Sequence, residues 1–553
     1  MNRLELKELI ANAKARKENG KHKIFVCCGT SCMASDSETV LKVLQEEIKN
    51  LGLENEVEAA LSGCMGLCNQ GPLVKVMPDN TMYQKITCDT IKEVVQGQFI
   101  NKEPIRKLLL FADTRPEPFI NAEEDPFFKN QKKVILKDCG SINPEDIMDY
   151  MAHDGYSAFE KVLFQMSPEE VIGEIKHSGL RGRGGAGYPA GLKWESVYRH
   201  VNDQKYVICN GDEGDPGAFM NRSVLEGNPH SVLEGMLIAG YAIGANKGYA
   251  YIRGEYRLAV KRFETAIKQA RQKGLIGNNI LGTSFSFNVE VRIGAGAFVC
   301  GEETALIASI EGKRGTPSPR PPYPAEAGLW GKPTLINNVE TLSNIHQIIL
   351  NGGEWFSNIG TARSAGTKVF ALAGKIKYSG LIEVPMGTSL KEVVFDIGGG
   401  IPNDGEFKAA QTGGPSGGCI PVEHLDAKLD YESLASLGSI MGSGGLIVMD
   451  KQTDMVDVAR FFMEFCMDES CGKCVPCRVG TKMMHDLILK IYEGNGTKND
   501  LDRLEELAAY VKETSLCGLG GSAPNPLLST LRYFRNEYEE KLKQHKHVSH
   551  EHN

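Results

Sequence analysis

The feature that most constrains this chain is a run of three cysteines near its C-terminal end, Cys471, Cys474 and Cys477, spaced as C-x2-C-x2-C. Three thiolates at this spacing can hold three corners of one [4Fe–4S] cubane, and a distant cysteine supplies the fourth. Cys517 is the one cysteine downstream of the run, and it lies in a glycine-rich segment. A four-cysteine zinc site is the alternative, although such sites more often pair two C-x2-C knuckles. We therefore predict a cubane held by these four residues.

A second group of cysteines lies near the N-terminus and comprises Cys27, Cys28, Cys32, Cys64 and Cys68. Two thiolate pairs from separate loops suit a [2Fe–2S] cluster. The spacing alone leaves open whether Cys27 or Cys28 is a ligand. A thioredoxin-like redox pair is the alternative, but it requires a C-x2-C motif that this segment lacks. We predict a [2Fe–2S] site here.

Size and composition limit the class of protein. With 553 residues, the chain is expected to form several domains rather than one hydrophobic core. Its net charge of −8 argues against a nucleic-acid partner. No apolar run approaches the roughly 18 residues of a membrane span, and the first residues lack the apolar core of a signal peptide. We therefore expect a cytoplasmic protein, in which reduced thiols bind metal rather than form disulfides.

Periodicity and composition predict a multidomain α/β fold in five segments. Residues 1–100 form a small α/β unit with the first cysteine group, and residues 101–133, rich in proline and charge, form a linker. Residues 134–360 alternate helices, β-branched strands and glycine-rich loops, as in an α/β domain. Residues 361–450 form a β-rich module, and residues 451–553 are helical. The polar, histidine-rich end is expected to be solvated.

A glycine-rich pattern, G-x-G-x-x-G, runs from Gly182 to Gly187. A dinucleotide-binding fingerprint follows a strand, whereas the preceding Ser167–His177 is predicted to be helical, so an ordinary Rossmann phosphate turn is not expected. Successive glycines still allow backbone N–H groups to approach an anion, and Arg183 and Lys193 would supply countercharge. A flexible linker is the alternative, but basic residues and Trp194 are poor choices for one. The segment is therefore a candidate anion-binding loop.

Polar residues follow three predicted strands, where α/β proteins place their ligands. Three carboxylates lie within four positions after the strand 205–209, on Asp212, Glu213 and Asp215. A solvated turn or a calcium loop is the alternative, although the calcium spacing is wrong. Gly301–Glu303 opens a helix, where the glutamates could act as caps only. Asn337–Asn338 could read the edge of a heterocycle or form a plain turn.

Together these motifs resemble those of a known family. The chain is similar to the NADH-binding flavoprotein subunit of respiratory complex I, and more so to the corresponding subunit of soluble NAD(P)-linked [FeFe]-hydrogenases and formate dehydrogenases. The resemblance implies a thioredoxin-like [2Fe–2S] domain, a Rossmann-like FMN and NADH domain, a ubiquitin-like β-grasp (SLBB) domain and a C-terminal four-helix bundle with the [4Fe–4S] cluster. The matching motifs, in order, are Gly182–Lys193, Asn210–Gly217, Gly301–Glu303, Asn337–Asn338 and Ser470–Arg478.

The resemblance also implies the residues of each site. Its C-x4-C spacing selects Cys27 rather than Cys28 as a cluster ligand, beside Cys32, Cys64 and Cys68. Glu213 and Glu303 would orient the substrate. Residues that would contact NAD(H) are Tyr188, Asp215, Glu303, Arg320 and Tyr323. Residues that would hold FMN are Gly182, Arg183, Gly184, Gly187, Lys193, Asn210, Asp212, Glu213, Gly301, Glu302, Asn337, Asn338 and Thr341.

The function implied is that of an NADH dehydrogenase or diaphorase subunit, which moves electrons between NADH, FMN, one [4Fe–4S] cluster, one [2Fe–2S] cluster and a partner. The implied partners are a hydrogenase- or formate-dehydrogenase-like catalytic subunit and a small thioredoxin-like [2Fe–2S] subunit. Glu303 would repel the 2′-phosphate of NADP, which favours NAD. Two other classes remain open: an electron-relay scaffold that has lost flavin, and a zinc-stabilised binding module.

Overall fold

The computed structural model describes the backbone of residues 1–17 and 20–548, and the side chains of those residues as far as residue 542. Most of the histidine-rich end therefore lies outside the described side chains. Three β-sheets and a final group of helices follow one another along the chain. In the described part of the chain, no helix is both long enough and apolar enough to cross a bilayer.

The N-terminal unit is built on a mixed four-stranded sheet. Its elements are α1 (Arg3–Lys17), β1 (His22–Cys27), α2 (Thr30–Met33), α3 (Ser37–Asn50), β2 (Val57–Ser62), β3 (Val74–Met77), β4 (Thr81–Tyr83) and α4 (Thr90–Val95). The strand order is β2-β1-β3-β4, with β1 parallel to β2 and antiparallel to β3. Helix α1 buries Leu6 and Ile10 in the core of the following unit rather than in that of the N-terminal unit. Its apolar residues recur at helical spacing along one face, which allows this packing.

Residues 101–133, predicted to be a linker from their proline and charge content, are packed rather than extended. The segment contains a short α-helix, α5 (Pro126–Lys129), which Asp125 caps, and two short 3-10 helices. Phe111 and Phe127 are fully buried in a core that the N-terminal unit shares with the β-rich module. Burial of these aromatic side chains outweighs the polar composition of the segment.

The central unit is a four-stranded, wholly parallel sheet. Its elements are α6 (Ile147–Met151), α7 (Ser157–Gln165), α8 (Pro168–His177), α9 (Ala190–Arg199), β5 (Tyr206–Gly211), α10 (Met220–Gly227), α11 (Pro229–Ile243), β6 (Lys247–Arg253), α12 (Arg257–Gln272), β7 (Asn288–Gly294), α13 (Glu303–Ile310), α14 (Pro324–Ala327), β8 (Thr334–Asn338), α15 (Val339–Asn351) and α16 (Gly353–Ser357). The strand order is β7-β6-β5-β8. Helices cover parallel sheets on both faces, which explains the continuous burial of Gly248–Ile252 in β6. All four strands end at one edge, and the predicted ligand residues lie at or after the ends of β5, β7 and β8.

The β-rich module contains a mixed five-stranded sheet. Its elements are β9 (Thr367–Gly374), β10 (Gly380–Pro385), β11 (Phe407–Thr412), β12 (Gly418–Pro421), α17 (Tyr431–Ser436) and β13 (Gly445–Asp450). The order is β10-β9-β13-β11-β12, and the first and last strands of the module are parallel neighbours at its centre. This arrangement agrees with the predicted β-grasp domain.

The C-terminal unit is the predicted helical bundle. Its helices are α18 (Met455–Asp468), α19 (Val475–Tyr492), α20 (Lys498–Thr514), α21 (Gly518–Ser522) and α22 (Asn525–Val548). Four of them are long, and they bury a common core that includes Met484, Leu504 and Leu527. The C-x2-C-x2-C run joins α18 to α19, and Cys517 directly precedes α21, so the bundle brings the two segments together.

Candidate functional site

The glycine-rich loop lies between helices α8 and α9, not after a strand. Ser167 and Glu170 form a capping box at the start of α8, which confirms the helix predicted there. The loop is closed by Gly182 N, which donates to Tyr188 O at 2.8 Å. Arg183 N donates to Thr341 Oγ1 at 2.9 Å, so the loop lies against the helix that follows β8.

Glycine allows the loop to lie close to its neighbours. A Cβ atom on Gly184 would lie 3.3 Å from the side chain of Asn338. Gly187 has a φ of +64°, and a Cβ atom there would lie 2.7 Å from the ring of Tyr431. The loop is therefore a rigid cradle packed between the parallel sheet and the β-grasp module.

The strand ends assemble beside this cradle. Asn210 and Asn338 are register partners on β5 and β8. The side-chain amide of Asn210 donates to Gly301 O at 3.0 Å, and Trp194 Nε1 donates to Asn337 Oδ1 at 2.8 Å. Four segments that are distant in sequence thus meet at one edge of the sheet, which is the grouping predicted for FMN.

The surroundings of the Asp212 carboxylate indicate whether the site could hold a ligand. Both of its carboxylate oxygens are buried and, among the described residues, neither has a hydrogen-bond partner. Its closest cation is Arg253, whose Nη1 lies 3.6 Å from Asp212 Oδ1. Burial raises the pKa of Asp212 to about 7, and Arg253 opposes the rise. Buried acceptors are normally satisfied, so these oxygens fit the hydroxyl and N–H donors of a flavin nucleotide.

The other two carboxylates of this group have different surroundings. Glu213 accepts hydrogen bonds from Asn221 N at 2.9 Å and Arg222 N at 3.2 Å, at the start of α10. Burial raises the pKa of Glu213 to about 7, although these two bonds oppose the rise. Asp215 faces the β-grasp module, where it accepts a hydrogen bond from Ser443 Oγ at 2.7 Å.

Glu303 is held as an anion by two cations. Its carboxylate lies 3.0 Å from Lys193 Nζ and 2.6 Å from Arg320 Nη1. Burial alone would raise the pKa of Glu303, but the two cations lower it below its ordinary value. Tyr188 and Tyr323 are exposed. Of the residues predicted to contact NAD(H), Tyr188, Arg320 and Tyr323 therefore border an open face of the site, whereas Asp215 faces the β-grasp module.

The two basic residues predicted to be countercharges have partners within the protein. Lys193 pairs with Glu303, as described above. The Arg183 side chain is fully buried and donates to the carbonyls of Arg181 at 3.1 Å and Ala365 at 2.6 Å. Its main chain remains part of the glycine cradle.

Glu302 caps helix α13 by accepting from Thr304 N and Ala305 N, both at 2.9 Å.

The four cysteines predicted to hold the cubane line one small cavity. Its lining residues are Val299, Pro317, Ser470, Cys471, Lys473, Cys474, Cys477, Leu516, Cys517 and Leu519. Val299 lies two residues before Gly301, so the wall of this cavity continues into the predicted flavin site. Phe298 N donates to Glu469 Oε2 at 2.8 Å and thereby joins the two units. Four thiols around one cavity fit a thiolate-held cluster.

The N-terminal cysteines line a second cavity. Cys27, Cys32, Cys64 and Cys68 all face it, and Cys64 Sγ lies 3.8 Å from Cys68 Sγ. Cys28 points away, into a separate core, with its Sγ 3.9 Å from Ser37 Oγ. The four thiols that the resemblance implies are therefore those that the fold brings together.

Several residues at these sites were not identified from the sequence. Glu340 and Lys368 form a fully buried ion pair of 2.5 Å between α15 and β9. Their only sequence signal is a lysine near the start of an otherwise apolar strand. Arg222 and Glu226 of α10 line the N-terminal cysteine cavity. Nothing in the sequence indicates that these two residues lie beside the cysteines.

Comparisons with known proteins agree with this geometry. Residues 12–98 match a thioredoxin-like [2Fe–2S] ferredoxin, residues 175–347 the Nuo51 FMN-binding domain, and residues 457–541 the NADH-ubiquinone oxidoreductase-F iron–sulfur binding region.

Individual relatives extend the match. The NADP-reducing hydrogenase subunit HndC of Solidesulfovibrio fructosivorans is 59% identical over 411 residues, which are 74% of this chain and 84% of HndC. The F subunit of the NADH-quinone oxidoreductase of Escherichia coli K12 is 41% identical over 398 residues, which are 72% of this chain and 89% of that protein. A crystal structure of NAD+-reducing [NiFe]-hydrogenase in the air-oxidized state matches at 30% identity and a TM-score of 0.66, covering 95% of this chain and 85% of that one.

The match to an FMN-binding domain and to two iron–sulfur regions, each region containing a four-thiol cavity or its cysteines, identifies the class as that of the iron–sulfur flavoproteins. Within that class, the chain belongs to the family of NADH-binding FMN and iron–sulfur subunits that also provides the F subunit of NADH-quinone oxidoreductase. The predicted fold class, the oxidoreductase activity and the set of cofactors are thereby confirmed.

Proposed function

We propose that this chain exchanges electrons between NAD(H) and a hydrogenase-type catalytic subunit of a cytoplasmic complex. The observation that carries the proposal is the shared wall between the flavin site and the cubane cavity, formed by the turn from Val299 to Gly301. Electron transfer requires such proximity. The similarity to a hydrogenase subunit over most of its length supports the partner class.

The site residues have distinct proposed roles. The glycine cradle, Asn210, Asn337, Asn338 and Thr341 would hold FMN, and the buried Asp212 oxygens would accept its donors. When bound, FMN would supply the chemistry of hydride acceptance from NADH and of one-electron transfer to an iron–sulfur cluster. Tyr188 and Tyr323, exposed at the mouth, would stack on the dinucleotide. Glu213 and Glu303 would orient it, and Lys193 and Arg320 would keep Glu303 ionised.

We propose two sets of cluster ligands. Cys471, Cys474, Cys477 and Cys517 hold the [4Fe–4S] cluster, and Cys27, Cys32, Cys64 and Cys68 hold the [2Fe–2S] cluster. Helix α19, which carries Cys477, exposes an apolar stripe of Val475, Val479 and Met483, and Leu516 in the wall of the first cavity is also exposed. Apolar side chains at this spacing share one face of a helix, and such patches mark interfaces. We propose that the catalytic partner docks there, and that a small thioredoxin-like [2Fe–2S] subunit also joins the complex.

The first test is anaerobic reconstitution of the full chain with iron, sulfide and FMN. We expect a yellow-brown protein with stoichiometric FMN and about six irons per chain, the sum of one cubane and one [2Fe–2S] cluster, whose flavin absorbance NADH bleaches. Cluster spectra without flavin would support the relay scaffold, and zinc in place of iron would support the binding module. Cys517→Ser should abolish the [4Fe–4S] signal, whereas Cys466→Ser, which alters a buried cysteine outside both cavities, should not.

The choice of NAD over NADP is a separate part of the proposal. An ionised Glu303 beside the adenosine ribose would repel a 2′-phosphate. Glu303→Gln should shift the NADH to NADPH ratio of kcat/KM toward NADPH by about tenfold, which corresponds to about 1.4 kcal/mol. An unchanged ratio would refute the assignment of Glu303.

A further inference from the structure

Helix α10 connects the flavin site to the N-terminal cysteine cavity. At its first turn, the backbone N–H groups of Asn221 and Arg222 hold the carboxylate of Glu213. Further along, the side chains of Arg222, Ser223 and Glu226 form part of the wall of the cavity lined by the N-terminal cysteines. The central unit therefore supplies charged side chains to a cluster site whose cysteines all belong to the N-terminal unit.

The Arg222 side chain is fixed in place but not fully satisfied. Its guanidinium carbon lies 5.2 Å from the centre of the Phe219 ring and 5.5 Å from that of Tyr256. Its Nε is buried and has no hydrogen-bond partner within residues 1–17 and 20–548. Tyr256 is itself held, because its hydroxyl donates to Glu213 O at 2.9 Å. A buried, unpartnered donor that lines a thiol cavity is positioned for the sulfur atoms of a cluster.

Glu226 contributes a charge of opposite sign to the same wall. Its side chain is 1% exposed, and Arg222 Nε lies 3.8 Å from Glu226 Oε1. Its carboxylate accepts hydrogen bonds from Thr30 N at 2.9 Å and from the Thr30 hydroxyl. Thr30 is the first residue of α2 and lies between Cys27 and Cys32 in sequence, so Glu226 joins this ligand segment to α10.

Both charges belong to the wall of the cavity that Cys27, Cys32, Cys64 and Cys68 also line. The field of each side chain therefore reaches the space that the proposed cluster would occupy.

We propose that Arg222 and Glu226 set the reduction potential of the [2Fe–2S] cluster from the flavin-binding domain, Arg222 raising it and Glu226 lowering it. The inference rests on the proposed ligation by Cys27, Cys32, Cys64 and Cys68. Reduction adds one electron, and hence one negative charge, to the cluster. A neighbouring cation with a free N–H donor stabilises the reduced state, whereas a carboxylate destabilises it. Both residues are positioning residues in the sense that they tune the cluster without ligating it.

The test is a potentiometric titration of the reconstituted full chain, followed by electron paramagnetic resonance. Arg222→Gln should lower the midpoint potential of the [2Fe–2S] cluster by about 59 mV or more, a tenfold change in a one-electron equilibrium. Glu226→Gln should raise it, and Arg222→Lys, which keeps the charge, should fall between wild type and Arg222→Gln. The matched control is Arg292→Gln, which removes a 45% exposed charge from β7 and should leave the potential unchanged.

The outcomes separate the inference from its foundation. FMN content and the [4Fe–4S] signal report whether each variant folds. If Arg222→Gln fails to fold, the potential measured for Glu226→Gln still decides the question. If the folded variants keep the wild-type potential, the tuning role is overturned while the ligand assignment stands. A wild-type chain that forms no [2Fe–2S] signal would overturn the ligand assignment and the inference together.

Discussion

The buried ion pair between Lys368 and Glu340 joins the β-grasp module to the flavin site, and its removal gives a sharp prediction. Lys368 Nζ lies 2.5 Å from Glu340 Oε2, and the two side chains are 0% and 1% exposed. Lys368→Met would leave the Glu340 carboxylate buried without its cation, which costs about 3–5 kcal/mol. Glu340 is separated from Asn338 by one residue and precedes Thr341, so we expect the variant to lose FMN as well as stability.

A multidomain chain does not unfold in one step, so the measurement must be local. Val369 N donates to Glu340 Oε1 at 3.0 Å, and its hydrogen exchange reports the free energy of opening at the pair. FMN content per chain gives the second measurement. Both should fall in Lys368→Met.

Two further variants test the reasoning. Lys368→Met combined with Glu340→Gln removes both charges but keeps an acceptor for Val369 N, so it should recover about 2 kcal/mol relative to Lys368→Met alone. Lys451→Met breaks a 2.8 Å pair with Glu406 in which both side chains are 70% exposed, and it should change little. If Lys368→Met behaves like Lys451→Met, or if the double variant recovers nothing, the pair does not join the two units as argued.

Three other predictions concern the sites themselves. Cys27→Ala should abolish the [2Fe–2S] signal while Cys28→Ala retains it, as measured by electron paramagnetic resonance. Because burial raises the pKa values of Asp212 and Glu213 to about 7, their contribution to the stability of the flavin-free protein should be fully present below their unfolded pKa values of about 4 and be lost as pH rises through about 7. Asp212→Asn should reduce the loss of melting temperature measured across that range relative to wild type. Trp194→Phe would leave Asn337 Oδ1 without its donor, and we expect faster FMN release on dilution, with unchanged release contradicting a role for this contact.

Much of the site could be predicted from the sequence because its chemistry is encoded locally. The C-x2-C-x2-C run specifies its cluster by spacing, and the helix before Gly182 follows from a capping box. The strand-end position of Asn210 and Asn338 follows from parallel topology, since all strands of such a sheet end at the same edge. These features needed no knowledge of how the domains pack.

The features that could not be predicted depend on contacts between distant segments. The direction of the Arg183 side chain is decided by the carbonyl of Ala365, 182 residues away in sequence. The pairing of Lys193 with Glu303 and the placement of Arg222 beside the N-terminal cysteines are likewise set by docking. Composition also misjudged residues 101–133, because two fully buried phenylalanines outweigh the surrounding prolines and charges.

The packing of that segment has a consequence for how the N-terminal unit works. Its aromatic side chains join the unit to the β-grasp sheet in one continuous core that includes Phe25, Phe127 and Phe370. A mobile electron-carrier domain needs a polar surface where it separates from the rest of the protein. Here, separation of the N-terminal unit from the β-grasp module would expose an apolar surface to water. We therefore expect the first hundred residues to stay docked on the rest of the enzyme, and their deletion to leave a truncated protein prone to aggregate.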